Sequence, residues 1–299
     1  MLRNKVILIT GATGFVGYHL AKNLAEENIV YCIVRPNSKI DKLQKYSNIK
    51  FIYYNGELSD LADQLLNIDV DLVYHLASLF ISEHKTQDVD NLIDSNIKFP
   101  TQLLEVLTNR NKPVKLINAG TSWQNFENSN YNPVCLYAAT KQSFEDILRF
   151  YHEINGVSNI TLRLFDTYGP DDTRKKLFWL LDNLRATGNA LDMSYGEQKL
   201  NLVYITDVID AFKYSGEVLL KSTHPVNSIY NVCSDHSIRL KEIVNIYQKV
   251  NGCELKINWG KKNYRTREVM EPSVLHYPIV DGWRCKVDIE TGISLLQCH

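Results

Sequence analysis

No C-x-x-C pair occurs, although the chain has six cysteines, at 32, 135, 233, 253, 285 and 298. Their scatter fits small core residues in a reducing compartment better than a disulfide frame or a zinc site. The eight histidines include no HxxxH pair and no His/Cys cluster, so no protein-ligated metal is expected. Neither charge sign is in excess: 33 Lys plus Arg face 34 Asp plus Glu, a formal net charge of -1. Such a balance supplies no broad cationic surface, and nucleic acid is not an expected partner. No apolar run approaches the ~20 residues of a membrane helix. Arg3 and Lys5 lead straight into a strand-like run rather than into the apolar centre of a signal peptide. The expectation is a cytoplasmic protein with no membrane partner.

What is present is 299 residues, 44% of them apolar, enough for one large domain or a large domain with a smaller one. Val6-Ile7-Leu8-Ile9-Thr10 reads as a strand, Gly11 to Gly17 as a tight turn, and 18–27 as a helix. Further strands are predicted at 30–34, 49–54, 71–77, 114–118 and 160–165, with helices at 58–67, 92–110 and 137–154. Strands alternating with helices in this way predict an α/β fold, a Rossmann-type doubly wound parallel sheet. After Gly169-Pro170-Asp171-Asp172 the pattern becomes mixed. Helices are predicted at 175–187, 207–220 and 238–250, and strands at 202–205 and 228–232, the last able to rejoin the sheet. The division expected is a dinucleotide-binding domain over 1–168, with 201–233 returning to it, and a smaller interleaved substrate lobe over 169–200 and 234–299.

Gly11, Gly14 and Gly17 stand between a strand and a helix, the context in which glycines let a pyrophosphate approach free helix N–H groups. At the end of the second strand an NAD site usually has an acidic residue for the ribose hydroxyl, whereas the 2′-phosphate of NADP needs a cation. Arg35 stands there, followed by Ser38 and Lys39, which predicts NADP(H); the alternative is a solvated surface arginine.

Tyr137 and Lys141 are four apart at the start of a predicted helix and share a face. A tyrosine becomes a useful acid or base near neutrality only when positive charge favours its phenolate, and Lys141 would provide it. Thr121 and Ser122 follow the fifth strand, at the sheet edge where α/β folds bind ligands. One of the two hydroxyls can bond a reacting oxygen; the alternative for each is a local cap or turn.

With these motifs the sequence resembles the extended short-chain dehydrogenases/reductases, also called the NAD-dependent epimerase/dehydratase family, which act on nucleotide-activated sugars. The resemblance rests on Gly11–Gly17, Tyr74-His75-Leu76-Ala77, Tyr137-Ala138-Ala139-Thr140-Lys141, Arg163-Leu164-Phe165-Asp166-Thr167-Tyr168-Gly169-Pro170 and Leu202-Val203-Tyr204-Ile205-Thr206-Asp207-Val208. It implies a cofactor site that adds Thr13, Phe15, Val16, Glu57, Leu58, Leu76, Ala77, Ser78 and Asn96 to the residues above. It also implies a substrate site of Phe80, Thr121, Ser122, Trp123, Asp166 and Arg265, with Arg265 on the diphosphate. His84 either faces the sugar or is an exposed loop histidine. Gly282-Trp283-Arg284 is similar to a C-terminal signature that packs the small lobe.

Within the family, Gly120-Thr121-Ser122 followed by Leu136 to Gln142 looks most similar to CDP-paratose and CDP-abequose synthases. That resemblance makes Thr121 the catalytic hydroxyl, with Tyr137 and Lys141. It implies NADPH-dependent reduction of the C4 ketone of a nucleotide-linked, CDP-type 6-deoxy or 3,6-dideoxy sugar. The alternative is a nucleotide-sugar epimerase with bound NAD(P), and a third reading is a non-enzymatic cofactor sensor. Three departures matter. Ala119-Gly120-Thr121 lacks the carboxylates of the dehydratases, Leu200-Asn201-Leu202 lacks a usual arginine, and Asp166 replaces a usual Asn. The apolar residues Phe144, Ile147, Leu148, Phe150 and Tyr151 predict, by the same similarity, a homodimer through a four-helix bundle.

Overall fold

The computed structural model describes residues 2–110, 112–274 and 276–296; Cys298 lies outside them. The chain runs β1 (Val6–Thr10), α1 (Phe15–Leu24), β2 (Ile29–Val34), α2 (Asp41–Gln44), β3 (Ile49–Tyr53), α3 (Leu58–Leu65), β4 (Leu72–His75), α4 (Val89–Ile93), α5 (Phe99–Thr108), β5 (Lys115–Thr121), α6 (Leu136–Asn155) and β6 (Ser158–Leu164). It continues with β7 (Asp166–Tyr168), α7 (Leu177–Thr187), β8 (Ala190–Asp192), β9 (Lys199–Leu200), β10 (Leu202–Tyr204), α8 (Ile205–Lys221), β11 (Asn227–Val232), β12 (Ile238–Arg239), α9 (Leu240–Asn251), β13 (Lys256–Asn258) and α10 (Ile289–Leu295).

Seven strands form one sheet in the order β11-β6-β5-β4-β1-β2-β3, and every pairing in it is parallel. Both faces are covered, so the strands are apolar almost throughout. Alternate residues of each strand enter different cores. Ile7, Ile9, Leu72, Tyr74 and Ile117 pack with α1 and α8, whereas Leu8, Val73 and Leu116 pack with α3, α5 and α6. Residues 227–232 do rejoin the sheet, as the edge strand beside β6. The smaller lobe pairs β8 with β13 and β9 with β12, with α9 packed on α10.

Asp207 fastens the C-terminal segment to α8. Its carboxylate accepts the backbone N–H groups of Lys286 and Val287, each at 2.9 Å, and its carbonyl accepts the indole N–H of Trp283 at 3.0 Å. The tryptophan in Gly282-Trp283-Arg284 is thereby buried.

Three local readings change. The single helix predicted at 92–110 is α4, a π-helical turn over Asp94–Lys98, and α5. Pro100 stands in the first turn of α5, and without an N–H it cannot continue the regular ladder, so the helix widens before it. β5 extends to Thr121 because Ala119, Gly120 and Thr121 pair with Leu162, Arg163 and Leu164. Phe144, Leu148 and Tyr151 belong to the chain's own core with Leu103 and Leu107, so they pack inside the domain; Ile147 is half-buried and Phe150 is exposed. Among the described residues no helix is long and apolar enough to cross a membrane, and no group of three or more His, Cys, Asp or Glu could hold a metal ion.

Candidate functional site

The carboxyl ends of β1 and β4 are joined by one hydroxyl. Thr10 Oγ1 lies 2.8 Å from His75 Nδ1 and accepts the Ala77 N–H at 3.1 Å. Burial, with the nearby Lys141 charge, holds His75 well below its usual pKa and therefore neutral. Above this joint Gly11 has φ +75, and a Cβ on it would sit 2.6 Å from the Ala77 nitrogen. A Cβ on Gly17 would strike the Gly11 carbonyl, whereas one on Gly14 would have only that carbonyl, at 3.3 Å, within 4 Å. The first and third glycines are required by packing. The second leaves free the space beside the start of α1, a cradle that fits a dinucleotide pyrophosphate.

The cleft that begins at Gly11, Gly14, Phe15, Val16 and Gly17 continues past Leu76, Ser78 and Phe80 to Thr121, Ser122, Trp123 and Tyr137. Tyr137, in the first turn of α6, is 9% exposed. Burial pushes its phenol up to about 12, while a hydrogen bond from Ser78 and the charge of Arg174 pull it down. Lys141, one turn further on, is 2% exposed; burial lowers its ammonium to about 8 against the attraction of Glu145. Thr121 ends β5, and its Oγ1 accepts the Trp123 N–H at 3.3 Å. The hydroxyl thus caps a short turn and keeps its own proton available to a ligand.

Beneath these residues is a closed polar network. Gln124 Oε1 accepts the Thr121 N–H at 2.9 Å, and its amide donates to Gln142 and to Glu145. Glu145 pairs with Arg163 at 2.7 Å, both side chains being almost wholly buried. Arg163 also bonds Asn125 and Gln142 and lies 4.5 Å from the Tyr277 ring centre. Asn96 serves the same framework. Its amide bonds the backbone of Leu79 at both N–H and carbonyl, and Thr140 at 2.9 Å, so it ties the loop carrying Ser78 to α6 rather than facing the cleft.

A second, larger cleft opens from the first past Phe80, Trp123 and Asp166 and runs between α7 and Leu200, Leu202 and Arg265. Arg265 stacks over Trp123 at 5.1 Å and makes a two-bond pair with Glu268, at 2.9 and 2.7 Å. An anion at Arg265 must share it with that carboxylate. His84 is exposed and lines neither cleft. Glu57 and Leu58 are exposed at the start of α3, with Thr13 exposed at the turn.

Arg174 and Lys176, which carry no motif of their own, line the region around Tyr137, and Lys176 also lines the second cleft. Burial lowers the Lys176 ammonium, and Asp166 raises it again. The run Asp172-Thr173-Arg174 was the available signal, since a carboxylate and a guanidinium two apart after Gly-Pro can close a tight pair.

The family pattern of the NAD dependent epimerase/dehydratases matches residues 7–233. CDP-abequose synthase of Yersinia pseudotuberculosis is 30% identical over 89% of this chain and 91% of its own. In fold, the chain is similar to UDP-glucuronic acid 4-epimerase from Bacillus cereus in complex with UDP-glucuronic acid and NAD. That comparison has a TM-score of 0.81 and 24% identity, covering 98% of this chain and 100% of the other. An NAD dependent NDP-hexosamine 5,6-dehydratase of tunicamycin biosynthesis is 26% identical, with a TM-score of 0.76 over 98% and 96%.

The cofactor expectation is corrected by the solved structures of similar fold, which are described with NAD, not with NADP(H). The geometry around Arg35 gives the reason. Its N–H donates to Ser38 Oγ at 3.1 Å, closing a local turn, and the side chains of Arg35 and Lys39 are exposed rather than gathered into a phosphate cradle.

Proposed function

We propose, for a chain that belongs to the NAD dependent epimerase/dehydratase family, that it inverts C4 of a nucleotide-diphosphate sugar with NAD held in the glycine-rich cleft. One observation carries this reading: Thr121 and Tyr137 share a cleft with Gly11, Gly14 and Gly17, and that cleft meets a larger one at Phe80 and Trp123. The nicotinamide, when bound, supplies a hydride acceptor and then a hydride donor at one ring carbon. Tyr137 takes the proton of the C4 hydroxyl and returns it, a general base and then a general acid. Ser78 and the Arg174 charge favour the phenolate, Lys141 adds its charge one turn along α6, and the Thr121 hydroxyl donates to the reacting oxygen. Water elimination fits poorly, because Ala119 and Gly120 put no carboxylate beside Thr121.

The domain division belongs to the same proposal: 1–168 and 201–233 hold the dinucleotide, and 169–200 and 234–299 the sugar nucleotide. Ile93, Phe150 and Ile154, exposed on α4 and α6, are the face through which a homodimer would form. Net reduction of a C4 ketone is the second reading, favoured by the similarity to CDP-abequose synthase.

The test is an NMR assay of UDP-, CDP-, dTDP- and GDP-linked hexoses and of the corresponding 4-keto-6-deoxy sugars, each with and without NADH, beside analysis of the nucleotide released on denaturation. Inversion at C4 without NADH consumption, and NAD in the released fraction, are expected. Stoichiometric NADH oxidation with a new secondary alcohol moves the protein to the second reading; no conversion of any sugar removes both.

A further inference from the structure

The segment between β7 and α7 lies across the cofactor-binding half. Gly169 packs so closely that a Cβ on it would strike Ile205 and lie 3.4 Å from the Phe15 ring. The Pro170 carbonyl meets His19 Nε2 at 3.1 Å, and Asp171 pairs with Lys42 of α2 at 2.7 Å. Arg174 finishes the crossing, with its guanidinium 4.4 Å from the Phe15 ring centre. Two bonds to Asp172, each at 2.7 Å, and one to the Thr167 carbonyl at 2.9 Å fix that guanidinium. Phe15 and His19 are one turn apart on α1 and form an edge-on ring pair, as do Tyr18 and His19. One face of the helix that starts at the glycine turn is therefore the seat of the segment.

The same segment borders the other cleft. Asp166, Thr167 and Tyr168 before it and Lys176 to Leu180 after it line the larger cavity, while Thr167 and Arg174 line the glycine-rich one. Gly169 to Asp172 line that cavity as well, so whatever fills the larger cleft rests on the segment itself and on the residues at both its ends.

We propose that residues 169–174 form a strap, locked by Arg174, that couples the two clefts, so that a nucleoside diphosphate in the larger one slows escape of the dinucleotide from the other. The exposed Lys42–Asp171 pair contributes little, as surface pairs do. The Arg174 fork, half-buried and stacked on Phe15, is the lock, and lysine cannot reproduce either its planar fork or its stacking. A coupling of this kind is reciprocal: the dinucleotide must tighten nucleoside diphosphate binding by the same factor. It also serves inversion at C4, because a ring carbon that has given up its hydride must recover it before the cofactor leaves. The inference rests on the proposed function only in taking a nicotinamide dinucleotide as the ligand of the glycine-rich cleft.

The experiment follows NADH fluorescence on release into excess NAD by stopped flow, with and without UDP, CDP, dTDP or GDP. It uses the wild type, Arg174→Ala, Arg174→Lys and Lys42→Ala. One nucleoside diphosphate is expected to slow release from the wild type about 10-fold, within the usual range of coupling between sites. Both Arg174 variants should release NADH faster and lose that slowing, with Lys42→Ala staying close to wild type. Arg174→Lys keeps the charge, so its result holds even if the alanine variant folds poorly. Release that no nucleoside diphosphate changes in the wild type, or that both Arg174 variants leave unaltered, overturns the strap. No turnover is measured, so an enzyme that inverts no sugar can still pass, and an active one can still fail.

Discussion

Tyr137→Phe should reduce turnover by about 10²–10⁴-fold, the usual contribution of a positioned acid–base group, while leaving nucleoside diphosphate binding within about 2-fold of wild type because such a group acts on the chemical step. The phenyl ring fits the same place. It keeps the edge-on contact with Phe80, whose ring centre is 5.0 Å away, and loses only the oxygen bonded by Ser78. The expected result is a fall in kcat with KM little changed, read by steady-state kinetics; a variant with more than a tenth of wild-type kcat would remove Tyr137 from the chemistry.

The pH profile follows from its neighbour. Lys141, lowered to about 8 by burial, carries its charge below that pH and loses it above. The wild-type rate should therefore decline as pH rises through about 8. The linkage for folding has its own sign: between about 8 and the ordinary lysine pKa near 10.4 the unfolded chain binds more protons, so stability rises with pH across that window. Catalysis thus keeps a charge that folding opposes.

The second large effect concerns the ion pair under the site. Arg163→Leu should destabilise the protein by about 3–5 kcal/mol, because it leaves Glu145 buried without its counter-charge. Glu145→Leu should cost a similar amount by leaving the guanidinium. The double replacement removes both charges and should be more stable than either single variant, a coupling that denaturant unfolding of all four proteins measures. Costs that simply add would show that the pair is not the source. The site feels the change through Gln124, which holds both Glu145 and the backbone of Thr121.

The sheet was legible in the sequence because its strands carry their own signal. Runs such as Val6–Thr10 and Leu72–His75 are apolar on both faces, and each ends at a turn or helix that local residues specify. The glycine turn, Tyr137 and Lys141 were legible for the same reason, since spacing along one element sets their relation. The end of β5 was not, because Ala119 and Gly120 become strand only by pairing with β6.

Distance in sequence hid the rest. The lock at Arg174 depends on Phe15, more than 150 positions earlier, and the pair β8–β13 joins Ala190 to Lys256. Arg265 and Arg35 show the converse limit: residue type suggested an anion, but Glu268 already holds one and the other faces solvent. Apolar residues on α6 were likewise read as an interface when α5 of the same chain covers Phe144 and Leu148.

The central claim is that one carbon loses and regains the same hydride inside a closed site. It is tested most directly with a nucleotide-linked hexose deuterated at C4, incubated with the protein and no added nicotinamide, and followed by NMR and mass spectrometry. The account predicts the C4 epimer with its deuterium retained at that carbon. Deuterium lost from C4, or no epimer until NAD is supplied, would contradict it.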